Sequence, residues 1–262
     1  MKIARFIEIE ANIYYGIIQG DEIAAIKAEP WLNMDYTGER WRLDEVKLLS
    51  PVRPPDVFAI GINYKGHADE TGFEYPPAPV IFLKAASSVV GPGDDIVLPA
   101  MAPDEVDYEA ELVIVIGQPC RNVSQEEALD YVLGYTCGND VSARDCQLRH
   151  DSQWARGKSF DTFCPLGPWI ETDMDPDNAD IGLRLNGEIM QQSNTNDLIF
   201  SCAELVSYCS RVATLHPGTV IMSGTPSGVG FTRQPPVFLR PGNRVEVIID
   251  GIGVLENTVV EQ

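Results

Sequence analysis

Between Glu105 and Ile116 the sequence EVDYEAELVIVI alternates with the two-residue period of a β-strand. One face is apolar throughout: Val106, Tyr108, Ala110, Leu112, Ile114 and Ile116. The other carries Glu105, Asp107, Glu109 and Glu111 before continuing as Val113 and Val115. Carboxylates crowded on one face repel each other, and burial makes the repulsion worse. Either this end of the face is solvated, as an exposed acidic edge, or a cation neutralises it. Asp140, in GYTCGNDVSARDCQ, favours the second arrangement, because it can bring a third carboxylate to Glu109 and Glu111 at the strand ends. An all-oxygen set of this kind suits a hard cation, Mg²⁺, Mn²⁺ or Ca²⁺, and leaves coordination positions for water or substrate. Zinc is disfavoured, since the cluster contains neither His nor Cys.

The elements that must position these groups are mostly strands. Ile3–Glu8, Ile13–Ile18 and Ile23–Lys27 have strand length and β-branched content, with Gly20-Asp21 as a turn. They define a small β-rich unit over residues 1–52. The Pro-rich Leu49–Pro55 reads as a linker into the main body, residues 53–262, whose first strand begins at Val57. Val57–Ile62 and Val80–Lys84 read as strands around Tyr64–Pro79, a mobile-loop candidate. Ser124 and Glu127 form a capping box for a helix to about Leu133, and Ser201 with Glu204 opens another through about Ala213. Tyr131–Thr136 is strand-like. Asn186-Gly187 is a hairpin turn between Gly182–Leu185 and Glu188–Gln191. Arg244–Ile249 and Gly253–Val260 form a terminal hairpin. No βαβ alternation is sustained, which argues for an α+β, β-rich fold with mixed sheet over a Rossmann or barrel architecture.

The chain has 262 residues, 44% of them hydrophobic and 22% charged, the proportions of a soluble globular protein with one large domain or a domain and a small appendage. Lys and Arg number 19 against 39 Asp and Glu, a formal net charge of −20. Such a surface repels phosphate backbones and anionic membranes, so neither nucleic acid nor membrane is expected as a partner. An anionic ligand would need a local positive site built against this field. The six cysteines form no CxxC pair, and the N-terminus MKIARFIEIEANIYYG has no secretory apolar stretch. Reduced, mostly buried thiols in a cytoplasmic or organelle-matrix protein are expected, without a catalytic role. His150 and His216 have no motif around them and are expected to be structural.

Six segments taken together resemble the fumarylacetoacetate hydrolase family: GINYKGHADE (Gly61–Glu70), FLK (Phe82–Lys84), DYEAEL (Asp107–Leu112), GNDVSARDCQ (Gly138–Gln147), GKSFDTFCPLGP (Gly157–Pro168) and SGTPSGVGF (Ser223–Phe231). They run in the family's order from Val57 towards the C-terminus, and the nearest comparison is the branch of 2-hydroxyhepta-2,4-diene-1,7-dioate isomerases and acylpyruvases. The resemblance implies a mixed-sheet roll behind a small N-terminal β domain, usually a homodimer, with a divalent metal, Mg²⁺ or Mn²⁺, on Glu109, Glu111 and Asp140. It implies that His67 and Glu70 are a catalytic pair on a lid, and their i, i+3 spacing puts both on one side of a helical turn. A Glu accepting from one imidazole nitrogen makes the other a better base. Arg144, Gln147 and Lys158 match polar residues facing the substrate, and a helix from Asp140 would aim Arg144 and Gln147 the same way. Thr225, in the Gly-rich turn, can offer donors to a carboxylate. Lys84 is a site-rim or strand-end residue, and Asp107 is not a principal ligand.

Three carboxylates and Mg²⁺ leave a charge near −1, which Arg144 and Lys158 offset when a small 2-oxo or β-diketo acid binds. Such a site is a Lewis-acid stabiliser of an enolate. Three reactions share that enolate: hydrolytic C–C cleavage of an acylpyruvate or fumarylacetoacetate-type substrate, decarboxylation of a 2-oxo diacid such as oxaloacetate, and keto–enol or double-bond isomerisation, reactions expected in aromatic-compound or central carboxylate catabolism. Hydrolysis comes first at this level, since a His/Glu pair over a metal suits water activation. A non-catalytic metal- or ligand-binding module is the alternative of another class.

Overall fold

The computed structural model describes residues 1–262. Its strands, in chain order, are β1 (Lys2–Ile7), β2 (Ile13–Gln19), β3 (Glu22–Ile26), β4 (Tyr36–Arg42), β5 (Lys47–Leu49), β6 (Val57–Gly61), β7 (Val80–Lys84), β8 (Val89–Val90), β9 (Asp95–Leu98) and β10 (Val106–Asp107). They continue with β11 (Ala110–Ile116), β12 (Val132–Asn139), β13 (Ser142–Ala143), β14 (Cys164–Glu171), β15 (Asp180–Leu185), β16 (Glu188–Asn194), β17 (Val220–Met222), β18 (Arg244–Ile249) and β19 (Gly253–Glu261). The α-helices are α1 (Lys65–Thr71), α2 (Ala155–Lys158) and α3 (Cys202–Val212). The fold is α+β and β-rich.

The main sheet runs β4-β3-β2-β1-β14-β12-β11-β17-β6-β7, with β5 against β1 and β8 against β14. A five-stranded sheet, β16-β15-β18-β19-β9, packs across β11, β12 and β14. Most pairs are antiparallel, while β17/β6, β14/β8 and β19/β9 are parallel, so the sheets are mixed. The first strands do not close on themselves: β1 pairs with β14 through Lys2↔Glu171 and Ile3↔Ile170, which makes one sheet of the N-terminal unit and the body. The Pro-rich connection is packed as well, with Val52 fully buried beside Ile3 and Val57.

Strand β11 lies between two cores, and its alternation decides which residue serves which. Val106, Tyr108, Ala110, Leu112, Ile114 and Ile116 enter the larger core with Leu183, Val247 and Leu255. Val113 and Val115 enter a smaller one with Ile3, Val220 and Met222. The strand anticipated from Val106 to Ile116 is nevertheless interrupted at Tyr108–Glu109. Side chains take three successive amides there: Tyr108 N–H goes to Asp107 Oδ1 (2.8 Å), Glu109 N–H to Asn139 Oδ1 (3.0 Å) and Ala110 N–H to Gln191 Oε1 (2.9 Å). Backbone donors satisfied this way need no ladder partner.

Three further local expectations change. The helix from Ser124 is a turn followed by a 3₁₀ segment at Ala128–Tyr131, because Val132 and Leu133 are drawn into β12. Tyr64–Pro79 carries helix α1, ended by Gly72 at φ +73°. No helix runs from Asp140 to Gln147, because Ser142 and Ala143 pair with Asp107 and Val106 and helical backbone starts only at Arg144. The Asn186-Gly187 turn, both residues at positive φ, and the Ser201/Glu204 capping box on α3 form as their residues dictate.

Candidate active site

The acidic face of the interrupted strand is buried. Asp107, Glu109 and Glu111 are 0%, 5% and 1% exposed, so the exposed acidic edge is excluded. Asp140, at the end of β12, joins them, and carboxylate oxygens of Glu109, Glu111 and Asp140 lie within 4.8 Å of one another. Three buried cations answer these acids. Lys158 Nζ bridges Glu109 Oε2 and Asp140 Oδ2, each at 2.7 Å. Arg144 Nη1 meets Glu109 Oε1 at 2.7 Å, and Lys84 pairs with Asp140 Oδ1. Lys84 is the last residue of β7, one of the two places expected for it, but it is not at the rim: at 4% exposure it lies behind the carboxylates.

Four carboxylates, counting Asp107, thus face three cations. The excess charge falls on Glu111, which has no cationic partner and takes only the Gly224 N–H, at 2.8 Å on Oε2. Burial, with Asp140 and Glu109 nearby, pushes the Glu111 carboxyl well above the usual carboxylate range. Glu109 goes the other way: burial opposes its charge, but Lys158, Arg144 and His67 together hold it below the usual range. Burial also opposes the Lys158 ammonium, and Asp140 and Glu109 outweigh it to raise its pKa. A buried carboxylate left without a cation, beside two others and with oxygen donors only, fits a hard divalent ion.

Asp107 is a different kind of acid. It accepts from Arg144 Nε (2.9 Å) and from the backbone N–H groups of Gly230 (2.8 Å) and Phe231 (3.0 Å). It therefore ties Arg144 to the Gly-rich segment after β17, and Arg144 lies 4.4 Å over the Phe231 ring. Only glycine suits position 230, where a Cβ would run into the Val237 carbonyl oxygen and Asp107 Oδ1. Arg144 Nη1 also donates to Gln147 Oε1 at 2.9 Å. Thr225 is held by Gln191, whose Nε2 donates to its Oγ1 at 2.8 Å and to the Pro226 carbonyl.

Helix α1 closes the site. His67 Nδ1 lies 2.8 Å from Glu70 Oε1, which leaves Nε2 for the pocket. Glu70 accepts in addition from Gly228 N–H and Thr232 Oγ1, and Asp197 Oδ2 accepts from Gly66 N–H at the other end of the helix. The enclosed cavity has a volume of about 40 Å³ and is lined by His67, Glu109, Glu111, Asp140, Arg144, Gln147, Lys158 and Thr225. Of the nine residues expected as catalytic, metal-binding or substrate-binding groups, all line it except Glu70, which lies behind His67. Asp140, Arg144 and Gln147 converge without the helix expected to aim them.

Sequence reasoning missed the apolar wall: Ile60, Ile62, Phe73, Phe82, Leu148 and Trp154. Phe73 and Leu148 are half exposed at the mouth, 47% and 43%. Trp154 stacks edge-on with Phe82 and fills the space over Gly61. An isolated Trp in the polar run DSQWARGK was the available signal. Ile62 sits at φ +56°, a strained conformation for a β-branched residue, next to the site. Gln191 was missed as a positioning group because nothing in its local sequence marks it, and the positioning roles of Asn139 and Lys84 were missed although both lie in the segments that carry the resemblance.

Comparison with known proteins places these features in context. The model of the fumarylacetoacetate (FAA) hydrolase C-terminal family matches residues 56–260, and that of the Rv2993c-like N-terminal family matches residues 1–51. Oxaloacetate tautomerase Fahd2a, mitochondrial, of Rattus norvegicus is 46% identical over 220 residues, 82% of this chain and 70% of that protein. The crystal structure of 5-carboxymethyl-2-hydroxymuconate delta-isomerase from Mycobacterium smegmatis is 43% identical and superposes with a TM-score of 0.91 over 100% of both chains. That of 2-hydroxyhepta-2,4-diene-1,7-dioate isomerase from Mycobacterium marinum is 40% identical, with a TM-score of 0.90 over 100% of this chain and 99% of that one. The chain is an enzyme of the fumarylacetoacetate hydrolase family.

Proposed function

We propose that this enzyme moves a proton along the carbon skeleton of a small 2-oxo dicarboxylate, as a keto–enol tautomerase of oxaloacetate or a double-bond isomerase of a related dienedioate. The preference formed from the sequence, hydrolysis first, is reversed here. The observation that carries the choice is the chemistry common to three similar proteins: a tautomerase and two isomerases, each of which shifts a proton without adding water.

The chain's own groups fit that task. His67 Nε2, with Nδ1 fixed by Glu70, takes a proton from one carbon or oxygen of the substrate and returns it to the other. Arg144, with Gln147 beside it, and Lys158 bind the substrate carboxylates, and Thr225 offers a further donor. Phe73, Leu148 and Trp154 keep water from the reacting carbon. Glu109, Glu111 and Asp140 would hold Mg²⁺ or Mn²⁺, with Ca²⁺ accommodated by the same oxygens. The ion would supply Lewis-acid polarisation of the 2-oxo group. With that charge in place, Lys158 and Arg144 no longer serve the carboxylates alone and can meet an anion.

The test is oxaloacetate in D₂O with the Mg²⁺- or Mn²⁺-loaded protein, following loss of enol absorbance, deuterium entry at C3 and any pyruvate. Metal-dependent tautomerisation that outruns pyruvate formation is the expected result. Pyruvate appearing as fast as the tautomer would make the enzyme a decarboxylase. Cleavage of acetylpyruvate, with no tautomerase activity, would restore the hydrolase reading.

A further inference from the structure

A second cavity, about 600 Å³, opens where the N-terminal strands meet the Ser50–Pro55 segment and the stretch around β8. Its volume is in the range of small-molecule sites. Arg5 and Arg53 both line it. Carboxylates outnumber cations two to one in this chain, yet none comes within ion-pair distance of either guanidinium, and neither donates a hydrogen bond to the protein. The one acid in the cavity wall, Asp94, is already engaged by Lys47 Nζ (2.6 Å) and the Gly91 N–H (2.8 Å).

We propose that this cavity binds a small multivalent oxyanion, carboxylate or phosphate, between Arg5 and Arg53. Two like charges left facing one cleft repel, and an oxyanion between them removes the repulsion while using their forked donors. Burial, together with Arg53, lowers the pKa of Arg5, with Tyr15 acting in the opposite sense. The backbone that carries both guanidinium groups is held before anything binds, while the Arg53 side chain itself is exposed. Arg5 is fixed in β1 opposite Tyr15 and Leu49. Arg53 is set between Pro51 and Pro54-Pro55, with Val52 anchored in the core and Ser50 Oγ donating to the Val52 carbonyl at 2.8 Å. Prolines at these positions limit the entropy lost on binding. Leu49 and Val89, both partly exposed, give the cavity an apolar side that accepts a short carbon chain. The ligand would touch the N-terminal strands, the connection and the body at once, so binding raises the melting temperature of the whole chain.

Equilibrium dialysis of the metal-loaded protein against radiolabelled phosphate and, separately, succinate tests this. One or both anions should bind, with affinity at least tenfold lower in Arg53→Ala and in Arg5→Met, and with an unchanged melting temperature of Arg53→Ala in anion-free buffer. Binding of phosphate alone or of succinate alone identifies the class of ligand, and either supports the site. The proposal is overturned by no binding of either anion, or by binding that neither substitution weakens. It is equally overturned if Arg53→Ala changes only the sedimentation of the protein, which would make the cavity a subunit contact. Should Arg5→Met not fold, Arg53→Ala decides alone.

Discussion

Asp107→Asn replaces one oxygen with an NH₂ group and should cost far more than its size suggests. Oδ1 of Asp107 accepts from Tyr108 and Gly230 N–H, and Oδ2 accepts from Arg144 Nε and Phe231 N–H. Asparagine must put its NH₂ at one of these positions, where it meets two donors and can bond to neither. Turned towards Arg144, it loses a charge-assisted bond of roughly 1.5–3 kcal/mol and strands the Phe231 N–H; turned the other way, it strands two backbone donors at about 1–3 kcal/mol each. Either way Arg144 keeps only Glu109 as a charge partner in a fully buried setting. The sum is about 3–5 kcal/mol, comparable to breaking a buried ion pair. At roughly 2 °C per kcal/mol for a chain of this size, the melting temperature should fall by about 6–10 °C. Because Arg144 is then loosely held, KM for the 2-oxo acid should rise by about tenfold while kcat changes less. Differential scanning calorimetry and steady-state kinetics on the metal-loaded protein measure both. A melting temperature within about 1 °C of the parent, with KM unchanged, would refute the idea that Asp107 holds Arg144 and the Gly-rich segment in place.

Other changes follow from the same geometry. Glu111→Gln removes the one carboxylate of the site without a cation; the metal-free protein should fold with undiminished stability, but the stabilisation on adding Mg²⁺ or Mn²⁺, about 2.7 kcal/mol at a hundredfold excess over Kd and read as a rise in melting temperature, should vanish. His67→Ala should lower turnover by about 10²–10⁴ with metal binding retained, as isothermal titration would show, whereas retained turnover would remove His67 as the proton carrier. Gly224→Ala meets a backbone at φ +101° and places a Cβ 2.8 Å from that of Asn63, so it should displace the N–H that binds Glu111 and weaken metal affinity, read by the same titration. Ser201→Ala should cost about 1 kcal/mol in urea unfolding and leave activity intact, since the capping box serves only α3.

What the sequence made legible was whatever is decided within a few residues. The alternation from Val106 to Ile116 assigned each apolar residue to a core face, and the two cores divide along that alternation. Asn186-Gly187 and Ser201/Glu204 carry their structure in their own dihedral preferences and side-chain donors. What could not be read depends on partners far along the chain. The break at Tyr108–Glu109 needs Asn139 and Gln191, 30 and 81 positions away from the amides they bind. Lys84 became legible only when folding put it against Asp140, 56 positions on. Convergence of Asp140, Arg144 and Gln147 was anticipated for the wrong local reason: the pairing of β13 with β10, and no continuous helix, brings them together. The apolar wall escaped because Phe73, Leu148 and Trp154 lie in segments whose polar composition reads as loop.

The electrostatics of the site explain how a chain of net charge −20 can take an anionic substrate. Lys84, Arg144 and Lys158 neutralise all but one of the four buried carboxylates, so a divalent ion would turn the local charge from −1 to +1 before substrate arrives. The sign reversal is confined to a small enclosed pocket, where low polarisability strengthens attraction to a carboxylate and the repulsive field of the exposed acids is screened by solvent. The cations cannot follow the substrate out, because each is held by acids on another segment of the chain: Lys84 by Asp140, Arg144 by Asp107 and Glu109, and Lys158 by Glu109 and Asp140. On the proposed function the carboxylates would do two jobs, offering oxygens to a metal and fixing Arg144 and Lys158, the two cations that line the pocket. This is why Asp107, which is not among the three clustered oxygen donors, is as deeply buried as the acids that are.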